Sequence, residues 1–456
     1  MLNEKRSSEA RIATVIAGSV EGRSTDAVVK AVKHLVQSEK VQPGTPLPSV
    51  RALAAALDMS PTSVHKAWLA LQAEGFLRTE GRRGTYVASP AVERSSDVWR
   101  RQVSAGLPFD LSTGAPDANL LPAMRLEAID SVVRQSSYYG PIVVPELGAA
   151  IRDSWGIRFA PEALTVVDGS LDALDRLIGL LVRHGDRVMI ETPTYPPIIS
   201  LLELAGAILL PIELDESGPR PEQVELALKR EPRLFLFQPR AQNPTGVAIT
   251  GERRDQLVSL LRGRDCLVIE HDSAGDISTS PLISCTDSLP ETTVRIHGYS
   301  KSFGPDLRLA AVAGPGAIID RLVTRRHLGP AWSSRLLQYM LAALLSDVDT
   351  RAKVAEAAVV YRGRREALSS ALAACGVSTI GSDGYNIWVP LEQNIDAIVA
   401  LAQRGFGVAN GAAFQVGSQA RFCRITAATL QKEHAEIIAA AIAMRPDGTA
   451  AQQINN

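Results

Sequence analysis

Apolar positions change their spacing along this chain, and each change marks a different kind of element. Between Ser49 and Gly75 they recur at helical intervals, as Val50, Leu53, Ala54 and Leu57 and then as Val64, Ala67, Trp68 and Leu71. This stripe predicts two short helices. Ser49 is placed to cap the first, Asp58-Met59 to turn the chain, and Ser60 to cap the second, with Pro61 at its first helical position and a stop at Gly75. Further on, near-continuous apolar runs over 164–167, 187–190, 234–237 and 267–269 alternate with amphipathic stretches such as 171–182 and 253–261. That alternation predicts an α/β fold with a mainly parallel sheet covered by helices. From about 324 to 443, Ala/Leu-rich helical stretches mix with short strands and predict a smaller α+β lobe. A polar, charged stretch without periodicity, ASPAVERSSDVWRRQVSAG, reads as a linker. The expected organisation is a unit over 22–88, a linker over 89–107, a large domain over 108–323 and a small lobe over 324–446.

Composition narrows the class. With 456 residues, 46% hydrophobic and 21% charged, the chain is long enough for a sizeable core and ordinary for a globular protein. It has no run near 18 apolar residues, and its first residues lack the apolar stretch of an export signal, so a cytoplasmic location without membrane contact is expected. Cys266, Cys285, Cys375 and Cys423 are scattered, which argues against a disulfide framework or a zinc site. Residues 1 to 100 hold 14 Lys+Arg against 10 Asp+Glu, a small excess that hints at an anionic partner for this part.

At the start of the second predicted helix, Thr62, Ser63, His65 and Lys66 face outward, small donors and cations suited to phosphates and base edges. Phe76 to Val87 then reads as a hairpin with a glycine-flanked basic tip, Gly81-Arg82-Arg83-Gly84, able to grip phosphate. The segment LPSVRALAAALDMSPTSVHKAWLALQAEGFLRTEGRRGTYVA resembles the winged helix-turn-helix of the GntR family of transcription regulators. The resemblance implies double-stranded operator DNA as a partner, with Ser49, Arg51, Thr62, Ser63, His65, Lys66, Arg82, Arg83 and Gly84 as candidate contacts. Family members often carry Arg after the capping Ser, whereas Pro61 stands here, so base readout from that position is lost.

In the large domain, Ser300-Lys301-Ser302-Phe303-Gly304-Pro305-Asp306-Leu307-Arg308 lies between two β-type runs. A lysine amine beside hydroxyls, backbone N–H groups and an arginine is what a Schiff base with pyridoxal 5'-phosphate (PLP) requires. Gln242-Asn243-Pro244-Thr245-Gly246 follows the strand-like LFLFQ, at a strand end where ligands of α/β sheets gather. Together these motifs resemble fold-type I PLP enzymes of the aspartate aminotransferase class over about 108–443.

By that resemblance Lys301 is the Schiff-base lysine, Arg308, Ser300 and the Gly169-Ser170-Leu171 turn hold the phosphate, Asn243 meets the phenolic oxygen, and Tyr195 stacks on the ring. The acid at the pyridine nitrogen is to be found in Glu270-His271-Asp272-Ser273, where related regulators read E-D-D-Y. His271 and Asp272 both qualify by position, and Asp272 is preferred because only a carboxylate supplies the opposite charge. The family's next tyrosine is Ser273 here, which argues against efficient transamination. Arg424 is expected to clamp an effector carboxylate, with Asn386 and Tyr139 bordering it.

A GntR-like reader joined to an aminotransferase-like domain resembles the MocR subgroup. The resemblance implies a head-to-tail homodimer that uses the large domain mainly as a sensor, for PLP, an amino compound as effector, or both. The alternative is an active aminotransferase carrying an accessory DNA-binding domain.

Overall fold

The computed structural model describes all residues except 1–10, 21, 39, 43, 74–75, 80–83, 88–105, 125–136, 156–162, 392–396, 418–420 and 444–456. The chain divides into two units, Met1–Asp97 and Val98–Asn456.

In the first unit, α1 (Thr25–Gln37), α2 (Val50–Leu57) and α3 (Pro61–Ala73) precede a hairpin of β1 (Leu77–Thr79) and β2 (Thr85–Val87). Each helix start uses a serine. Ser24 Oγ accepts from the Ala27 N–H, Ser49 Oγ from the Ala52 N–H and Ser60 Oγ from the Ser63 N–H. Asp58 ends α2 in the left-handed conformation, φ 50°, and so makes the turn between the helices. Val28, Leu35, Leu53, Val64, Trp68 and Leu71 form the core, closed by Leu77 and Val87, which face each other across the hairpin. This is a winged helix-turn-helix. Thr62, His65 and Lys66 are exposed on α3, Ser63 is half-buried, and Ser49 and Arg51 are exposed at the start of α2. Gly84 is exposed with φ 111°, whereas Arg82 and Arg83 lie outside the described residues.

The second unit opens with β3 (Phe109–Asp110) and α4 (Pro145–Trp155) and is built around an eight-stranded sheet. Its elements are β4 (Leu164–Val167), α5 (Ser170–Leu181), β5 (Arg187–Thr192), α6 (Pro196–Leu204), β6 (Ile208–Asp215), β7 (Gly218–Pro219), α7 (Pro221–Leu228), β8 (Leu234–Phe237), α8 (Gly251–Leu261), β9 (Leu267–Asp272), β10 (Thr293–Gly298), α9 (Ser300–Phe303), β11 (Ala310–Ala313) and α10 (Gly316–His327). The strand order is β4-β11-β10-β9-β8-β5-β6-β7, parallel from β10 to β6, with β11 antiparallel to both its neighbours. One face packs Leu174, Leu177 and Ile178 of α5 against Ile190, Leu236 and Ile296, and the other packs Leu257 and Leu261 of α8 against Phe235 and Val268. Both faces are covered, so the central strands are apolar throughout.

Helices α11 (Arg335–Ser346) and α12 (Val348–Ala374) lead into the lobe, where β12 (Asn386–Pro390), α13 (Ala397–Gln403), β13 (Phe406–Gly407), β14 (Ala409–Asn410), β15 (Phe422–Thr426) and α14 (Ala435–Ala443) share a core of Leu368, Ile387, Leu401, Ile425 and Ile438. The sheet β12-β15-β14 is antiparallel, and β13 pairs in parallel with β3. Among the described residues no helix is long and apolar enough to cross a membrane, and the four cysteines are free.

Candidate functional site

Strand register brings three chain segments to one sheet edge. Ala310, the first residue of β11, pairs with Val167 on one side and Gly298 on the other. The chain leaves β4 through Gly169 into α5, leaves β10 through Tyr299 into α9, and enters β11 from Arg308, all at this edge. Gly169 has φ 108°, and a Cβ there would stand 3.1 Å from Arg308 Nη2, so only glycine lets the guanidinium approach the turn. Arg308 itself is left-handed, φ 47°, and its Nη2 donates to the Asp168 carbonyl at 3.5 Å. Ser170 and Leu171 at the start of α5, next to the Gly169 turn, with Ser300 and Arg308 also in the lining, make a cradle of the kind that suits an anion at a helix N-terminus.

The cradle is one end of a cavity of about 160 Å³. Lys301 stands in its wall, its Nζ donating to Ser273 Oγ at 3.3 Å and lying 5.5 Å from the centre of the Tyr385 ring. Burial, aided by the nearby Arg424 charge and opposed by Asp272, pushes the Lys301 amine down to about 8. A useful fraction is therefore unprotonated near neutral pH, the form that attacks a carbonyl.

At the other end, Arg424 projects from β15 and is buried. Its Nη1 donates to Asn243 Oδ1 at 3.1 Å, its Nη2 to the Ser112 carbonyl, and its guanidinium lies 5.0 Å from the Phe414 ring centre. Its Nε has no hydrogen-bond partner, and none of the carboxylates of the described residues forms an ion pair with it. Burial pushes it down to about 10. A buried guanidinium without an acid is a ready clamp for a ligand carboxylate. Tyr195 and Asn243 line the same cavity.

Strand geometry places His271, rather than the preferred Asp272, in the lining of this cavity. Successive side chains of β9 point to opposite faces, and it is His271 that lines the cavity. Asp272 turns to the other face, where its carboxylate accepts from Arg240 Nε and Nη2 at 3.2 and 2.8 Å, from His297 Nδ1 at 2.9 Å and from the Gly275 N–H at 3.1 Å. Burial alone would raise its pKa, but Arg240 and His297 outweigh it and hold the carboxyl well below the usual carboxylate range. Both ring nitrogens of His271 are buried without a partner. Burial, then the Lys301 charge, pushes His271 down to about 3 against the pull of Asp272, so the ring is neutral.

Two further expected residues stand elsewhere. Asn386 ties the lobe strands together, its Oδ1 accepting from Thr426 Oγ1 at 3.2 Å, and it does not line the cavity. Tyr139 is 99% exposed on a turn whose Ser137, Gly140 and Pro141 carbonyls accept from the Arg335 guanidinium. Thr113 and Gly114 also line the cavity, from a loop without a motif to reveal it. A Cβ on Gly114 would come within 3.0 Å of the Arg424 guanidinium, a close approach that only a glycine allows.

The family model for aminotransferase class I and II matches residues 108–442, and that for bacterial regulatory proteins of the gntR family matches residues 24–87. The chain belongs to the aminotransferase class I and II family, in the MocR-type architecture. Among curated relatives, the vitamin B6 salvage pathway transcriptional repressor PtsJ of Salmonella typhimurium is 30% identical over 435 residues, covering 93% of this chain and 98% of the relative. The HTH-type transcriptional regulator TauR of Rhodobacter capsulatus is 26% identical, covering 86% of this chain and 88% of its own. The solved α-aminoadipate aminotransferase LysN of Thermus thermophilus superposes with a TM-score of 0.68 at 22% identity, over 78% of this chain and 95% of that one. At that identity the likeness shows the fold, and the MocR-type architecture places the gntR-family unit ahead of it in the same chain.

Proposed function

We propose that this protein is a DNA-binding transcription regulator of the cytoplasm that holds PLP at Lys301 and responds to PLP, to an amino compound, or to both. One observation carries the reading: a chain with a winged helix-turn-helix also builds a cavity whose polar groups match those of PLP. The cradle of Gly169, Ser170, Leu171, Ser300 and Arg308 suits the phosphate, Asn243 the phenolic oxygen, and Tyr195 a face of the ring. When bound, PLP supplies an aldehyde that condenses reversibly with a primary amine. Lys301 provides a partly unprotonated amine in reach of it, and Arg424, whose charge no carboxylate of the described residues pairs, takes the carboxylate of an amino compound. Two relatives are named for vitamin B6 pathways, PtsJ and the pyridoxine biosynthesis regulator PdxR of Corynebacterium glutamicum, which supports a B6 vitamer as part of the signal.

On the reader, Thr62, Ser63, His65 and Lys66 on α3, Ser49 and Arg51 on α2, and the wing residues Arg82, Arg83 and Gly84 contact the operator. A head-to-tail homodimer presents two such readers to two half-sites. The ligand regulates by binding two arrangements of the dimer unequally, with a coupling of about 1 to 3 kcal/mol.

The test uses the full chain. Borohydride should fix PLP to Lys301, and anisotropy of labelled operator at stated salt should shift when amine is added. Lys301→Ala should keep DNA affinity and lose that shift. Failure to retain PLP, or an operator affinity indifferent to both PLP and amine, would overturn the reading. The nucleophile and carboxylate clamp also fit an active aminotransferase, which sustained turnover with amino and keto acid pairs would establish.

A further inference from the structure

The polar groups of the cavity are unevenly provided for. Lys301 donates to Ser273, and Asn243 accepts from Arg424. His271, on the sheet side of the cavity, is 2% exposed and has neither ring nitrogen hydrogen-bonded. We propose that His271, as a neutral imidazole, meets the pyridine nitrogen of PLP and holds it unprotonated, so that the cavity binds amino compounds without efficient transamination. This rests on the function proposed above and specifies what kind of site Lys301 serves.

PLP has four polar features. The phosphate has its cradle, the aldehyde has Lys301 and the phenolic oxygen has Asn243. The pyridine nitrogen, across the ring from the aldehyde carbon, is left, and His271 is the lining residue that has two buried ring nitrogens and a partner for neither. A neutral imidazole can donate its N–H to an unprotonated pyridine nitrogen, which satisfies one buried group on each side.

Protonating the pyridine there is unfavourable. The cationic groups lining the cavity are Lys301, Arg308 and Arg424, no carboxylate lines it, and Asp272, next to His271 in the chain, is engaged by Arg240 and His297. A new positive charge on the ring nitrogen there has no lining carboxylate to pair with it. An unprotonated ring withdraws electrons less strongly, so loss of the α-proton of a bound amino acid is slow, while condensation at the aldehyde is not impaired. The arrangement separates recognition of an amine from its conversion.

The experiment is ¹⁵N NMR of ring-labelled PLP bound to the full-length protein, read beside single-turnover conversion of the bound PLP by an amino acid. In the unaltered protein the nitrogen should resonate as unprotonated. In His271→Asp it should move to the pyridinium position, and the single-turnover rate should rise by about ten- to a thousandfold, matching a carboxylate effect of one to three pKa units. In His271→Asn, which still offers an N–H but no charge, the resonance should stay unprotonated, whereas a pyridinium signal in it would overturn the inference, and this readout carries the test if the Asp variant does not fold. A pyridinium signal in unaltered protein that retains PLP and responds to amines on DNA overturns this inference alone. Protein that retains no PLP overturns the underlying reading as well.

Discussion

Neighbours on one strand, His271 and Asp272, are equally buried and differ in every other respect. Asp272 faces a closed network in which Arg240, His297 and the Gly275 N–H satisfy it, and Asp276 lies 3.6 Å from the second nitrogen of His297. His271 faces an open cavity with both nitrogens idle. Burying polar groups is costly unless they are hydrogen-bonded. That condition is met for Asp272 and unmet for His271, which separates a residue that holds the structure from one that is left open toward a cavity.

The most severe way to probe this contrast is Asp272→Leu. It leaves Arg240 and His297 facing each other without their anion, at a cost of about 3 to 5 kcal/mol, read as a lower urea midpoint for the larger unit. The same pairing sets a pH dependence. Since the folded carboxyl lies well below its ordinary 3.8, its stabilisation is complete above about pH 4 and lost as pH falls through the folded value. Removing Arg424 acts on ligands more than on folding. Arg424→Ala should weaken binding of a carboxylate-bearing amine by about ten- to a hundredfold, the loss of charged hydrogen bonds worth about 1.5 to 3 kcal/mol, in calorimetric titration. A smaller effect comes from the amine at about 8 on Lys301. The rate of PLP uptake should rise about fivefold from pH 7 to 8 and level off soon after, whereas an ordinary lysine would keep climbing toward pH 10. Mildest of all, His271→Leu should change stability by less than about 1 kcal/mol, because it removes a group that nothing satisfies. Equal losses at 271 and 272 would erase the distinction between the two residues.

Much of this was legible in the sequence. The apolar runs at 164–167 and 234–237 coincide with β4 and β8, and the capping serines and Pro61 start the helices of the reader where their chemistry requires. The motifs around Lys301, Asn243, Gly169 and Arg308 each follow a strand end or precede a strand start, and strand register gathers them. What could not be read was the phase of β9. A strand buried on both faces has no hydrophobic alternation to show which residue points where. Charge complementarity favoured Asp272, but its partners come from Arg240, 32 residues away, and from His297, its neighbour in the register of β10. Thr113 and Gly114 escaped for a related reason, since their closeness to Arg424 spans the whole domain.

The antiparallel return of β11 beside β10 has a consequence for how this domain can vary. One short excursion between Gly298 and Ala310 carries both the Lys301 amine and the Arg308 guanidinium, pinned at its two ends by paired backbone. Removing or inserting a single residue within it would rotate one grip out of phase with the other, whatever side chains were kept. Loop length there is as much a part of the specification as Lys301 itself.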